Sequence, residues 1–83
     1  MSEQEVRLPA LGDDDDAPEE AKVSFFYFEE GSAVKKDDDL AELLTDKATF
    51  DLPCPADGTL KKILVQEEET VKVGQVLAII EVA

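Results

Sequence analysis

Eighty-three residues allow one domain, 1–83, and one small core. Hydrophobic residues make up 43% of the chain, enough for folding. Twenty-one acidic against eight basic residues leave a net charge of −13, a field that repels nucleic-acid phosphates and anionic membranes and suits a soluble monomer whose partners carry basic patches. Histidine and tryptophan are absent and Cys54 is the one cysteine. Histidine triads, histidine metal sites and an intrachain disulfide are thereby excluded, and chemistry falls to carboxylates, lysines or a group attached to them. No apolar run approaches a membrane span and no N-terminal segment has the pattern of a signal peptide, so an intracellular location is expected.

Val6-Arg7-Leu8 alternates and is stopped by Pro9, which predicts a short first strand. Gly12 to Glu20 is loop material and contains the run Asp13-Asp14-Asp15-Asp16. Lys22 to Phe28 has a strand composition. Its aromatics cannot all face one side, and Phe26 and Phe28 are expected inward with Phe25 and Tyr27 outward. Gly31-Ser32 breaks this strand; Val34 and then Leu40 to Thr45 predict two more, the latter too short for a stable helix. Asp46-Lys47 interrupts the apolar pattern, Ala48 to Leu52 resumes it, and Pro53-Cys54-Pro55 ends it. Gly58 is expected in a turn. Leu60, Ile63 and Val65 follow with an irregular spacing that implies a bulge. Gly74 marks another turn, and Val76 to Val82 predicts a buried final strand.

Shifting the chain by 37 positions aligns it with itself. The segment from Val34 to Ala41 falls on Val71 to Ala78, while Val23, Phe26, Phe28 and Glu30 fall on Leu60, Ile63, Val65 and Glu67, and Ala21 falls on Gly58. Two copies of a unit of four short strands, related by a pseudo-twofold, can bury each other's apolar faces. The predicted fold is all-β, a flattened barrel or sandwich of two small antiparallel sheets. The Asp46-Lys47 turn and the chain termini are expected at opposite ends.

Within Leu44-Thr45-Asp46-Lys47-Ala48-Thr49, two strand-like runs flank a two-residue polar tip. This resembles the attachment motif of the lipoyl domains, whose lysine sits between Asp and Ala on a hairpin. The segments Arg7 to Gly12, Phe50 to Gly58 and Glu67 to Leu77 also resemble that family, most closely the lipoyl domains of dihydrolipoyl acyltransferases in 2-oxoacid dehydrogenase complexes. Family members usually carry glycine where this chain has Ala21 and Asp37; aspartate tolerates a positive φ better than most residues.

The resemblance implies lipoic acid in amide linkage to Lys47, with Asp46 and Ala48 shaping the tip for the lipoate-attaching enzyme. It implies a swinging arm that carries acyl groups and reducing equivalents, the protein supplying position and recognition and the cofactor the chemistry. It implies as partners a thiamine-diphosphate-dependent 2-oxoacid dehydrogenase, an acyltransferase core and dihydrolipoyl dehydrogenase. Asp13 to Asp16 would help the dehydrogenase recognise its carrier, or would simply be a solvated loop. No catalytic or metal-binding residue of the chain's own is implied. Two other readings of the same fold stay open: a biotinyl carrier for a carboxylase, whose lysine usually lies between methionines, and an interaction module without a cofactor. Cys54 is expected to be a packing residue, and Glu67-Glu68-Glu69 and Asp37-Asp38-Asp39 solvated turns.

Overall fold

The computed structural model describes residues 2–12 and 17–82. Among them the chain forms eight strands and no helix: β1 (Ser2–Arg7), β2 (Glu20–Phe26), β3 (Ala33–Val34), β4 (Asp39–Leu44), β5 (Thr49–Pro53), β6 (Gly58–Ile63), β7 (Thr70–Lys72) and β8 (Val76–Val82). They make two antiparallel four-stranded sheets, ordered β1-β8-β6-β3 and β5-β4-β2-β7. The molecule is a flattened sandwich of 39 × 23 × 17 Å.

The alternation in the sequence explains how the sheets face each other. Ala41 and Leu43 of β4 are buried, whereas Glu42 is half-exposed and Leu44 exposed. On β5, Leu52 is buried and Thr49, Asp51 and Pro53 are exposed. Side chains two apart share a face, so each sheet turns one apolar side inward and one polar side to water. Between them Leu8, Val23, Leu40, Leu43, Leu52, Cys54, Leu60, Val71, Leu77 and Ile80 are fully buried. Each buried leucine, isoleucine or valine among them contributes about 1.5–3 kcal/mol by leaving water.

The internal repeat is present down to individual hydrogen bonds. Adding 37 to the residue numbers carries β2, β3 and β4 onto β6, β7 and β8, and one sheet order becomes the other. The two-residue β3 pairs with β6, and its counterpart β7 pairs with β2, so each half lends a strand to the other's sheet. Tyr27 N–H donates to the Leu40 carbonyl at 2.8 Å, and Leu64 N–H to that of Leu77 at 2.9 Å. Val23 N–H donates to Glu69 and Leu60 N–H to Ser32, again at equivalent positions. The bulge expected near Leu60 lies between Leu60 and Lys62, and its counterpart between Val23 and Phe25. The four positive φ angles also pair: Gly31 (93°) with Glu68 (69°), and Asp37 (72°) with Gly74 (88°). Asp37 therefore holds the left-handed conformation that its repeat counterpart Gly74 also adopts.

Several expectations need correction. The first strand begins at Ser2, four residues before its first buried side chain, because β1 is an edge strand and its early side chains face solvent. It ends at Arg7, with Leu8 in the core beyond it. The second strand runs from Glu20 to Phe26, so Phe28 packs against the core from outside a strand. Phe26 and Phe28 both lie against the core as expected, while Tyr27 is exposed and stacks edge-on with Phe25, ring centroids 4.9 Å apart. Gly58 is not in a turn. It is the first residue of β6, and a Cβ there would run into the Glu81 carbonyl oxygen, so glycine serves close approach of two strands. β7, between two turns, was visible only through its repeat partner β3.

Candidate functional site

β4 and β5 form the hairpin that carries Lys47. Leu43 faces Phe50 and Leu44 faces Thr49 across the ladder. The buried side chains of Ala41, Leu43 and Leu52 anchor both arms in the core, so the tip stands on a fixed base. Asp46, Lys47 and Ala48 are all exposed.

The tip itself is held by one side chain. Thr45 N–H donates to the Ala48 carbonyl at 2.9 Å. The Thr45 hydroxyl donates to that carbonyl at 3.0 Å, and accepts from Ala48 N–H at 3.0 Å and Lys47 N–H at 3.2 Å. A threonine that opens a turn can bond the backbone ahead of it; the sequence pattern puts Thr45 at the end of its strand, whereas β4 stops at Leu44 and Thr45 opens the turn. The structure thus brings Asp46, Lys47 and Ala48 together at one exposed tip and adds Thr45 to them.

A groove of about 470 Å³ opens beside the tip. Leu44, Thr45 and Asp46 line one side, and Pro18, Glu19 and Glu20 belong to the other. The segment leading into β2 therefore reaches the Lys47 end of the molecule. Asp13, Asp14, Asp15 and Asp16 themselves lie outside the described residues.

The remaining candidates serve the scaffold. Cys54 is buried and donates its thiol to the Ala56 carbonyl at 3.0 Å; burial pushes its pKa up, which disfavours a reactive thiolate. Asp38 accepts from Lys35 N–H at 3.0 Å, Glu69 from Gln66 N–H at 3.0 Å, Asp57 from Lys36 N–H at 2.7 Å and Glu30 from Ile63 N–H at 2.8 Å. These carboxylates stitch turns together. Lys61 of β6 is held by Glu3 of β1 in the same sheet, which raises the lysine's pKa. An amine at an exposed, braced hairpin tip can be acylated by another enzyme and then carry what is attached clear of the fold. The residues present fit such a group without needing a pocket to enclose it.

Comparison with known proteins agrees with this geometry. Residues 4–80 match the biotin and lipoyl family model described as "Biotin-requiring enzyme". The dihydrolipoyllysine-residue succinyltransferase component of the 2-oxoglutarate dehydrogenase complex of Bartonella vinsonii is 39% identical over 77 residues, which cover 93% of this chain and 18% of that protein. The dihydrolipoyllysine-residue acetyltransferase component of the pyruvate dehydrogenase complex of Staphylococcus epidermidis is 32% identical over 93% of this chain and 17% of that protein. The chain thus spans less than a fifth of the length of these relatives. Among solved structures, the lipoyl domain of the 2-oxoglutarate dehydrogenase complex of Azotobacter vinelandii superposes with a TM-score of 0.70 at 25% identity, over 95% of this chain and 98% of that one. The urea carboxylase of Kluyveromyces lactis shares the fold, with a TM-score of 0.79 at 15% identity over 98% of this chain and 6% of that one. The match over 77 of the 83 residues and the hairpin geometry together make this chain a member of the biotin/lipoyl attachment-domain family.

Proposed function

We propose that Lys47 carries lipoate and that the domain is a covalent carrier in a 2-oxoacid dehydrogenase complex, not an enzyme in its own right. The observation that carries this reading is the exposed Lys47 between Asp46 and Ala48 at the tip of a braced hairpin. The names of the relatives that match along almost the whole chain support it, since both are dihydrolipoyllysine proteins of such complexes. The flanking Asp46 and Ala48 favour lipoate over biotin, because the biotinyl relatives usually place methionine on both sides.

Bound lipoate would supply acyl transfer and a dithiol couple. The chain's own residues do the rest. β4 and β5 hold the tip away from the core, and Asp46 and Ala48 present the amine to the attaching enzyme. The aspartates at 13–16 add charge that a dehydrogenase with a basic entrance would read. The partners proposed are that attaching enzyme, a thiamine-diphosphate-dependent 2-oxoacid dehydrogenase, an acyltransferase core and dihydrolipoyl dehydrogenase. The working compartment proposed is the cytoplasm, or the mitochondrial matrix in a eukaryote. Intact mass of the protein made in cells supplied with both lipoate and biotin tests the reading. One lipoyl group per chain is expected. One biotinyl group would move the protein to the carboxylase branch of the family, and an unmodified mass would leave it an interaction module.

A further inference from the structure

We propose that Thr45 is the positioning residue of the attachment hairpin: its hydroxyl sets the geometry in which Lys47 is presented to the modifying enzyme. The inference rests on the reading of Lys47 as the modified residue.

Two-residue hairpin tips ordinarily close through turns that need a positive φ at one or both central residues. Neither Asp46 nor Lys47 is among the residues with positive φ. The other tight turns do use such residues: Gly31, Asp37, Glu68 and Gly74 each sit in one. The Lys47 turn therefore lacks the usual backbone device and has a side chain in its place. Thr45 N–H reaches the Ala48 carbonyl, but the reciprocal amide, Ala48 N–H, turns to Thr45 Oγ1 at 3.0 Å. Lys47 N–H turns to the same oxygen at 3.2 Å, and the hydroxyl's own proton goes to the Ala48 carbonyl at 3.0 Å. A hydroxyl has one proton to donate and two lone pairs to accept with. All three are used, and all on Lys47 and Ala48.

The consequence for recognition follows from exposure. The amides of Lys47 and Ala48 lie at the surface, so without the hydroxyl they would bond water at little cost to the fold. What would be lost is the fixed direction of the Lys47 backbone, and an enzyme that reads the tip would meet many conformers. When the competent conformer is only a fraction of the population, apparent affinity falls by that fraction.

Thr45→Val removes the hydroxyl and keeps the β-branched shape and strand preference. Two measurements separate this proposal from the reading of Lys47. In the unmodified protein, amide hydrogen exchange at Lys47 and Ala48 should speed about tenfold in Thr45→Val and return in Thr45→Ser, with the amides of Leu43 and Ile80 unaffected. Modification by a lipoate-attaching enzyme should show kcat/KM lowered about tenfold, mainly through KM, with rescue by serine. Unchanged exchange at both amides, or modification of the valine variant at the wild-type rate, would overturn the positioning role. A parallel fall in thermal stability and modification would also overturn it, since the hydroxyl would then act through the fold. Failure of every variant and of the wild-type chain to accept lipoate would count against the Lys47 reading instead, and the exchange data would still decide the role of Thr45.

Discussion

The two halves of the molecule are built from the same strands and differ where they connect them. β1 reaches β2 through residues 8–19, whereas β5, at the equivalent place in the other sheet, reaches β6 through residues 54–57. β4 runs through the Lys47 tip into β5, whereas its counterpart β8 pairs with β1, where Ser2 faces Val82. The core is shared and close to symmetric, with Val23 matched by Leu60, Val34 by Val71, Leu40 by Leu77, Ala41 by Ala78 and Leu43 by Ile80, all buried. The exposed Lys47 hairpin sits where the symmetry is broken. Repetition makes the scaffold, and the candidate site lies at a departure from it: Pro18 and Glu19, at the end of the long connection, and Leu44 to Asp46 of the lysine hairpin line one groove.

The largest effects are expected in the core. Leu43→Ala and Ile80→Ala empty equivalent fully buried positions in opposite sheets. Each should cost about 2–5 kcal/mol, and denaturant unfolding should give costs within about 1 kcal/mol of each other if the halves bear equal load. A cost confined to one half would mean that the symmetry is only of shape. The next test breaks the connection that the second half lacks. Replacing Asp13, Asp14, Asp15 and Asp16 with serine should leave the unfolding curve in place and, if the domain serves the dehydrogenase proposed above, slow its reductive acylation roughly tenfold at low salt. Identical rates at low and high salt for both proteins would make those aspartates a solvated loop.

A smaller effect sharpens the match at the turns. Glu68 holds a left-handed conformation where its counterpart is Gly31, and Asp37 does so where its counterpart is Gly74. Left-handed backbone costs most residues about 1–2 kcal/mol, and glycine returns roughly 0.5–1 of that as unfolded-chain entropy. Glu68→Gly should therefore stabilise by about 0.5–1 kcal/mol, and Asp37→Gly by less because aspartate tolerates the region better. Thermal unfolding can rank them, and the reverse order would remove the steric account.

The smallest concerns the outer faces. Tyr27 occupies the position of Leu64 in the repeat, beside carboxylates. Partial desolvation and then the charges of Asp51, Glu42 and Asp39 push its phenol above the ordinary value of 10. A raised folded pKa means that this contribution to stability is complete below the unfolded value and is lost as pH rises through the folded one. It is the one tyrosine in a chain without tryptophan, so tyrosinate absorbance reads it directly. Asp51→Asn should bring the midpoint down; no movement would place Asp51 too far away to matter.

Most of the architecture was legible because burial in a sandwich writes period-two patterns and the repeat wrote them twice. Leu40-Ala41 and Leu77-Ala78 revealed equivalent strands before any pairing was known. The start of β1 was hidden because Ser2 to Glu5 form an exposed edge with no inward apolar residue. Gly58 was misread because glycine marks both turns and close strand approach, and only the position of the Glu81 carbonyl tells them apart. At the site, the lysine and its neighbours were legible through a motif. The bracing by Thr45 was not, because a threonine flanking a strand has the same composition whether its hydroxyl faces water or the turn.

If Lys47 alone among the basic residues is the attachment point, Lys47→Arg should abolish modification and spare the fold. Arginine keeps the charge and, at an exposed tip, should leave the unfolding free energy within about 0.5 kcal/mol of the parent. Intact mass after exposure to a lipoate-attaching enzyme should show one lipoyl group on the parent chain and none on the variant. A lipoyl group on the folded variant would place the attachment on another lysine and contradict the account.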